Sequence, residues 1–199
     1  KRCDMTTNPT SKQDLILNAF ITLLIQGGYQ SATINKTAEV AGVNPSTIFR
    51  KFTDKEGLLS AVVERHLHDL STIFDGMVVI GDVEKDLVTM SKTYQEFQAN
   101  HQEIVLVGVQ ESFRMPEMSR AVEEIPLQFK QMLRQYFTDM RAQHKISDQV
   151  DIEAATMNMI WLNFGYFLAA IRFENPDLVT PPEDFYDKQI RFFAKSLSV

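Results

Sequence analysis

Apolar residues recur at helical spacing along nearly the whole of this 199-residue chain, and no alternation of apolar and polar residues is long enough to predict a strand. The first such segment covers residues 11–26 and ends at Gly27-Gly28, because glycine readily stops a helix. Further segments of this kind cover residues 83–99, 102–113, 118–144, 151–173 and 183–197. Since 44% of the residues are hydrophobic, such helices can bury a core. We therefore predict an all-α protein of about nine helices.

Residues 33–52 predict two short helices joined by a tight turn. Thr33 is suited to cap the first helix, and Gly42 can adopt the left-handed conformation that ends it. Asn44 can cap the second helix, and Pro45 then occupies the first helical position, where its missing N–H costs nothing. Only three residues join the two helices. The segment therefore predicts a helix-turn-helix, in which the second helix enters the DNA major groove by its N-terminus.

A longer fourth helix follows this pair. Thr53 and Glu56 have the spacing of a capping box, which predicts that the helix begins there. Apolar residues then continue at helical spacing as far as Phe74.

The outer face of the second short helix carries small polar residues and cations. These residues are Asn44, Pro45, Ser46, Thr47, Arg50 and Lys51. Small side chains let the start of a helix approach base edges, and the unpaired N–H groups there attract phosphate. The pattern predicts contact with a polyanion. Short helix pairs with a glycine turn also occur in all-α proteins that never contact DNA, and the spacing alone leaves that alternative open.

The charge distribution agrees with a local rather than a general affinity for DNA. The chain has a formal net charge of -6, which argues against a protein that coats nucleic acid or an anionic membrane. Residues 1–69 hold eight Lys and Arg against seven Asp and Glu, a net charge of +1. Residues 70–199 hold twelve against nineteen, a net charge of -7. The acidity therefore belongs to the later part of the chain.

A set of residues between 33 and 59 resembles the DNA-binding signature of the tetracycline-repressor (TetR) family of bacterial regulators. The matching residues are Thr33-Ile34, Ala38, Ala41-Gly42-Val43, Thr47-Ile48-Phe49, Phe52, Lys55-Glu56 and Leu58. The resemblance implies a homodimer with a three-helix DNA-binding head, residues 11–54. It further implies a larger helical domain, residues 55–199, that binds an effector and dimerises through its last two helices.

The resemblance also implies a role for individual residues. Thr33, Thr47 and Lys55 would contact phosphates, and Phe49 would pack on the sugar-phosphate backbone. Bases would be contacted by Asn35, Pro45, Ser46 and Arg50. Two positions depart from the family pattern, because Thr37 replaces an aliphatic residue and Ser46 replaces a frequent glycine. We expect the Thr37 hydroxyl to bond to a helical carbonyl and Ser46 to alter operator preference.

The segment 151–173 is apolar nearly all round, which predicts a helix that is buried on both sides. With the last helix, it predicts a four-helix interface between two copies of the chain. The residues assigned to dimerisation are Met157, Tyr166, Ala170, Phe173, Ile190, Phe193 and Leu197. A larger core within one chain is the alternative explanation.

Methionine and aromatic residues of the later helices are spaced so that many could line one cavity. The residues assigned to ligand binding are Tyr94, Phe97, His101, Val105, Gln110, Phe113, Phe137, Met140, Trp161 and Phe164. Such side chains adapt to irregular apolar ligands, which predicts a small, mostly apolar effector. The same spacing is also typical of an ordinary core.

Enzyme motifs are absent from the sequence, which has no Walker-type loop, no H-E-x-x-H and no nucleophile elbow. We predict no catalytic activity, no cofactor and no metal site. Cys3 is the only cysteine, and no apolar run approaches the roughly 18 residues of a membrane span, so we expect a cytoplasmic protein with no membrane partner.

The function predicted from the sequence is a homodimeric, ligand-responsive repressor that binds a pseudo-palindromic DNA operator. The alternatives are an activator or a regulator without a ligand. An interaction module or an all-α enzyme with an incidental helix-turn-helix is a further alternative.

Overall fold

The computed structural model describes residues 11–113 and 116–198, which form helices and turns and contain no strand. The helices are α1 (Lys12–Ser31), α2 (Ile34–Ala41), α3 (Pro45–Phe52), α4 (Lys55–Asp75), α5 (Val83–Asn100), α6 (Gln102–Ser112), α7 (Pro116–Ala142), α8 (Ile152–Arg172), α9 (Pro182–Asp184) and α10 (Arg191–Ser196). A π-helical segment, Phe185–Ile190, joins α9 to α10. The predicted all-α fold is confirmed. Cys3 lies outside the described residues.

The chain forms two compact units, each with its own apolar core. The first unit runs to His66 and includes Glu103–Val122, and the second comprises Leu67–Gln102 and the chain from Glu123 onward. The core of the first unit consists of Ile16, Leu17, Phe20, Leu24, Tyr29, Ala32, Ala38, Ile48, Phe52, Leu58, Leu59 and Val62. The predicted functional division between residues 54 and 55 stays a prediction.

Helix α1 is interrupted where the sequence predicts that it stops. Its N-terminus is closed by a capping box, in which Ser11 and Asp14 each accept a backbone N–H of the other. At the far end Gly28 has φ 72° and ψ 175°, a backbone conformation that breaks the helix. A short helical stretch then resumes and ends at Ser31.

The start of α4 differs from the predicted capping box of Thr53 and Glu56. Thr53 has φ 67°, and its N–H donates to the carbonyl of Phe49 (2.9 Å), so this residue ends α3. The cap of α4 is supplied instead by Asp54, whose Oδ1 accepts the N–H of Gly57 (2.8 Å). The predicted capping box is therefore wrong, because Thr53 is used to turn the chain between the two helices.

The second unit is built around aromatic side chains from several helices. The rings of Tyr94 and Phe129 stack with centroids 4.0 Å apart, and Phe74 stacks on Phe129 at 5.4 Å. The other buried members include Leu70, Leu87, Met90, Phe97, Leu133, Tyr136, Phe137, Met140, Met159, Ile160, Phe185 and Ile190. The second core therefore draws on α4, α5, α7, α8 and the C-terminal helical segments.

A buried polar network joins α5 to α8 within this core. The Ser91 hydroxyl donates to Asn163 Oδ1 (2.6 Å), and Gln95 Nε2 donates to the Asn163 carbonyl (2.7 Å). Asn163 Nδ2 donates in turn to the carbonyl of Met159 (2.9 Å). Because each of these buried groups has a partner, the network fixes the two helices in one register.

Among the described residues, α8 is one helix that is long and apolar enough to cross a membrane. The expectation that no apolar run approaches this length is therefore wrong for α8. Polar residues interrupt the helix, but they are too few to lower its mean hydropathy below that of a possible membrane span. The core helices of globular proteins have the same composition, and several α8 side chains belong to the second core.

We predict that Gly57→Ala destabilises the first unit. A methyl group at Gly57 would overlap the carbonyl oxygen of Phe52, and backbone atoms cannot move away without distorting the α3 to α4 turn. The free energy of unfolding, measured by urea titration with circular dichroism, should fall by about 1–3 kcal/mol. The control is Gly76→Ala, whose added methyl would make only ordinary contacts and should change stability by less than about 0.5 kcal/mol. Equal stability of the two variants would contradict the prediction.

Candidate nucleic-acid interface

Helices α2 and α3 are joined by the turn that the sequence predicts. Thr33 caps α2 by accepting the N–H of Lys36 on Oγ1 (3.3 Å). Gly42 ends α2 with φ 65° and ψ 35°, the left-handed conformation that glycine adopts without strain. The next residue, Val43, donates its N–H to the carbonyl of Ala38 (2.9 Å). This pattern closes the C-terminus of α2 and directs the chain into α3.

The N-terminus of α3 is also organised as predicted. Asn44 accepts the N–H of Ser46 on Oδ1 (2.9 Å), and Pro45 occupies the first turn. Ile48 and Phe52 are buried against the rest of the first unit, and this burial fixes which face of α3 remains outside. The remaining N–H groups of the first turn lie at an accessible helix start, which favours an anion.

Thr37 lies at the packed side of α2. It is fully buried, and its hydroxyl donates to the carbonyl of Thr33 (2.9 Å). The expectation that this hydroxyl bonds to a helical carbonyl is confirmed. The departure from an aliphatic residue is therefore accommodated without leaving a buried donor unpaired.

All of the predicted DNA-binding residues belong to the first unit, between Thr33 and Lys55. Thr33, Asn35, Asn44, Ser46, Phe49, Arg50 and Lys51 are exposed, and Pro45, Thr47 and Lys55 are half-buried. Phe49 is 52% exposed, and the two residues that follow it, Arg50 and Lys51, are cations. Such a ring can pack on a sugar while the cations pair with phosphates. The roles of these residues in contacting DNA stay predictions.

Lys55 lies at the start of α4 and has an aromatic partner. Its Nζ is 4.0 Å from the centroid of the Tyr29 ring, which is itself buried. Partial burial lowers the pKa of Lys55, and the negative charge of Glu111 opposes this shift. The sequence did not indicate either partner, since Tyr29 and Glu111 are distant from Lys55 along the chain.

The predicted dimerisation residues fall into two groups in the second unit. Ile190, Phe193 and Leu197 are buried within the core of a single chain. Of the rest, Met157 and Tyr166 are half-buried, and Ala170 and Phe173 are exposed.

Other large apolar side chains point outward on these helices. Trp161 on α8 is 62% exposed and Phe192 on α10 is 74% exposed. Phe164 and Leu168 lie near Trp161 along α8 and are half-buried. Phe192 is not among the residues predicted from the sequence, because it and its neighbour Phe193 are equally apolar and only packing distinguishes them.

The predicted ligand-binding residues are divided between the two units. Those in the second unit are Tyr94, Phe97, Phe137 and Met140, which are buried together, His101 and Phe164, which are half-buried, and Trp161, which is exposed. Those in the first unit are Val105, which is buried, and Gln110 and Phe113, which are exposed. The aromatic core of the second unit therefore contains only part of the predicted set.

Two glutamine oxygens within the second unit are buried without a hydrogen-bond partner, namely Oε1 of Gln98 on α5 and Oε1 of Gln128 on α7. Gln98 is 2% exposed and follows Phe97, whereas Gln128 precedes Phe129. Leaving such an acceptor unpaired costs stability, so each oxygen is available to a donor. In the part of the chain that the structure describes, no group of three or more His, Cys, Asp or Glu side chains could hold a metal ion.

Comparison with known proteins identifies relatives of both the helix-turn-helix region and the whole chain. Residues 16–62 match the family described as bacterial regulatory proteins, tetR family. The chain is 29% identical over 190 residues to YvkB of Bacillus subtilis (strain 168), described as an uncharacterized HTH-type transcriptional regulator. This alignment covers 96% of the chain and 98% of YvkB.

Solved structures of similar fold agree with this result. A TetR-family transcriptional regulator of Syntrophomonas wolfei superposes with a TM-score of 0.74 at 14% identity, covering 94% of each chain. FadR of Bacillus subtilis, solved in complex with stearoyl-CoA, gives a TM-score of 0.63 at 15% identity, covering 92% of this chain and 94% of FadR. At these identities the likeness concerns the fold.

Proposed function

We propose that this chain, whose residues 16–62 match the tetR family of bacterial regulatory proteins, is a homodimeric repressor released from its operator by a small, mostly apolar effector. The observation that carries the DNA-binding part is the capped N-terminus of α3, with Ser46, Arg50 and Lys51 exposed on its outer face. In this proposal the protein acts in the bacterial cytoplasm, has no enzymatic activity and needs no cofactor.

DNA recognition in this proposal divides between positioning and reading. Thr33, Thr47 and Lys55 contact phosphates, and Phe49 packs on the sugar-phosphate backbone. Arg50 and Asn35 contact bases, because a guanidinium matches guanine and a carboxamide matches adenine in the major groove. Two copies of α3 about 34 Å apart would then contact successive major grooves of a pseudo-palindromic site.

We predict that the purified protein selects a palindromic site from random duplex DNA at near-physiological salt. Arg50→Ala should weaken binding to the selected site by about 1–3 kcal/mol, measured by fluorescence anisotropy, because it removes a charged contact to a base. The control is Lys145→Ala, which removes the same charge from an exposed residue of the second unit and should leave affinity unchanged. If the protein retains no duplex, or if Arg50→Ala binds as tightly as the wild type, the proposed function is wrong.

Dimerisation in this proposal uses the outward apolar face of α8 together with α10. Trp161 and Phe192 are large, apolar and mostly exposed, whereas Ile190 and Phe193 already contribute to the core of one chain. Exposed aromatic residues on long helices are typical of the buried centre of a protein interface. We therefore assign Trp161 to the dimer interface and no longer to the ligand site.

We predict that Trp161→Glu converts the dimer to a monomer, because a carboxylate at the centre of an apolar interface loses its hydration. Sedimentation velocity measures the outcome. The control is Leu178→Glu, since Leu178 is also 62% exposed but lies outside α8 and α10. A dimeric Trp161→Glu protein would exclude this face as the interface.

The effector in this proposal binds within the second unit, where aromatic side chains and two unpaired amide oxygens occur on α5 and α7. A mostly apolar molecule with a hydroxyl or N–H group would satisfy Gln98 or Gln128 while contacting Tyr94 and Phe97. FadR of Bacillus subtilis, which shares the fold, is a regulator solved with stearoyl-CoA, a molecule with a long apolar chain. Release from DNA requires only that the effector bind more tightly to the conformation that cannot contact DNA than to the one that can. A 100-fold difference between these two affinities corresponds to about 2.7 kcal/mol per site.

We predict that Gln98→Leu raises the stability of the effector-free protein, because it removes a buried unpaired acceptor. The unfolding midpoint from a thermal melt should increase. The matched control on the same helix is Gln95→Leu, which removes two hydrogen bonds to Asn163 and should lower the midpoint. If Gln98→Leu destabilises the protein as Gln95→Leu does, Gln98 is an ordinary structural residue and does not anchor the effector.

A further inference from the structure

Helix α6 packs against the core of the first unit, beside the DNA-binding helices. Ile104 and Val107 contact the apolar cluster that includes Tyr29 and Ile48. This packing places Glu111, one turn further along the same helix, at the kink of α1. A methyl group built on Gly28 would lie 2.7 Å from Oε1 of Glu111, so the carboxylate rests directly against the glycine backbone.

Lys55 lies close to Tyr29, the residue that follows Gly28 at the kink of α1. Its ammonium lies 4.0 Å from the ring centroid of Tyr29, which follows Gly28 in the chain. The carboxylate of Glu111 and the ammonium of Lys55 therefore converge on two consecutive residues. The two charges attract each other, since Glu111 raises the pKa of Lys55 against the larger lowering caused by burial.

We propose that Glu111 competes with DNA phosphate for Lys55. This inference rests on the proposed function, in which Lys55 contacts the DNA backbone. A phosphate that approaches Lys55 also approaches the negative charge of Glu111, and this repulsion opposes binding. The position of α6 then determines how much of the Lys55 charge is available to DNA, although α6 itself contacts no base.

The experiment measures binding to mixed-sequence duplex DNA of about 30 base pairs at low salt, where phosphate contacts supply nearly all the affinity. The proteins are the wild type, Glu111→Gln, Lys55→Met and the double variant, together with Glu64→Gln. Glu64 is an exposed acid on α4 in the same unit, and its variant makes the same charge change. Thermal melts check that all five proteins are folded.

We expect Glu111→Gln to bind duplex DNA about three- to tenfold more tightly than the wild type, because one repulsive charge is removed near a phosphate. Glu64→Gln should bind as the wild type does. Lys55→Met should bind more weakly. The slope of its log affinity against log salt concentration should be smaller by about one, because one phosphate contact is lost. In the Lys55→Met background, the substitution of Glu111 should have little further effect.

The possible failures are distinguishable. If Lys55→Met binds as tightly as the wild type, the phosphate contact of the proposed function is wrong. If Lys55→Met weakens binding but Glu111→Gln does not tighten it, the competition is refuted while the proposed function stands. A weaker affinity of Glu111→Gln would also refute it, since Glu111 would then hold Lys55 in place for DNA. An equal gain in both backgrounds would indicate general charge repulsion and not competition for Lys55.

Discussion

The turn between α2 and α3 is the constraint on which the rest of the first unit depends. Gly42 adopts a left-handed conformation, and the N–H groups of Gly42 and Val43 bond to the carbonyls of Ala38 and Glu39 at the end of α2. Asn44 then begins α3 after only three connecting residues. Because the turn fixes the direction of α3, it also decides that Ile48 is buried and that Arg50 faces solvent.

Electrostatics in this protein is local. The chain as a whole is acidic, and yet the outer face of α3 carries Arg50 and Lys51 beside a helix N-terminus. Salt screens interactions between exposed charges beyond about 10 Å, so the charges next to a DNA-contacting face matter more than the net charge of the chain. Glu111 acts in the same way at the start of α4, because it rests against Gly28 and raises the pKa of Lys55.

The second unit shows how similar residues acquire different roles through packing. Gln95 and Gln98 lie within one turn of α5, and both are buried. Gln95 is paired with Asn163 and contributes to the register of α5 and α8, whereas the Gln98 oxygen has no partner. A paired amide specifies a fold, and an unpaired one reduces stability unless another molecule supplies a donor. This contrast supports an effector with a hydrogen-bonding group.

The all-α fold follows from the helical spacing of apolar residues along the chain, whereas the helix break at Gly28, the left-handed Gly42 and the cap at Asn44 each depend on residues within about one helical turn. The prediction was wrong at Thr53, where the spacing of a capping box is present but the residue has φ 67° and ends α3. Tertiary packing, by contrast, leaves Phe192 exposed and Phe193 buried, and it places the Lys55 ammonium over the Tyr29 ring, where the charge of Glu111 acts on it. The reason is physical: local hydrogen bonds are fixed by neighbours in the chain, whereas burial and long-range pairing depend on which helices pack together.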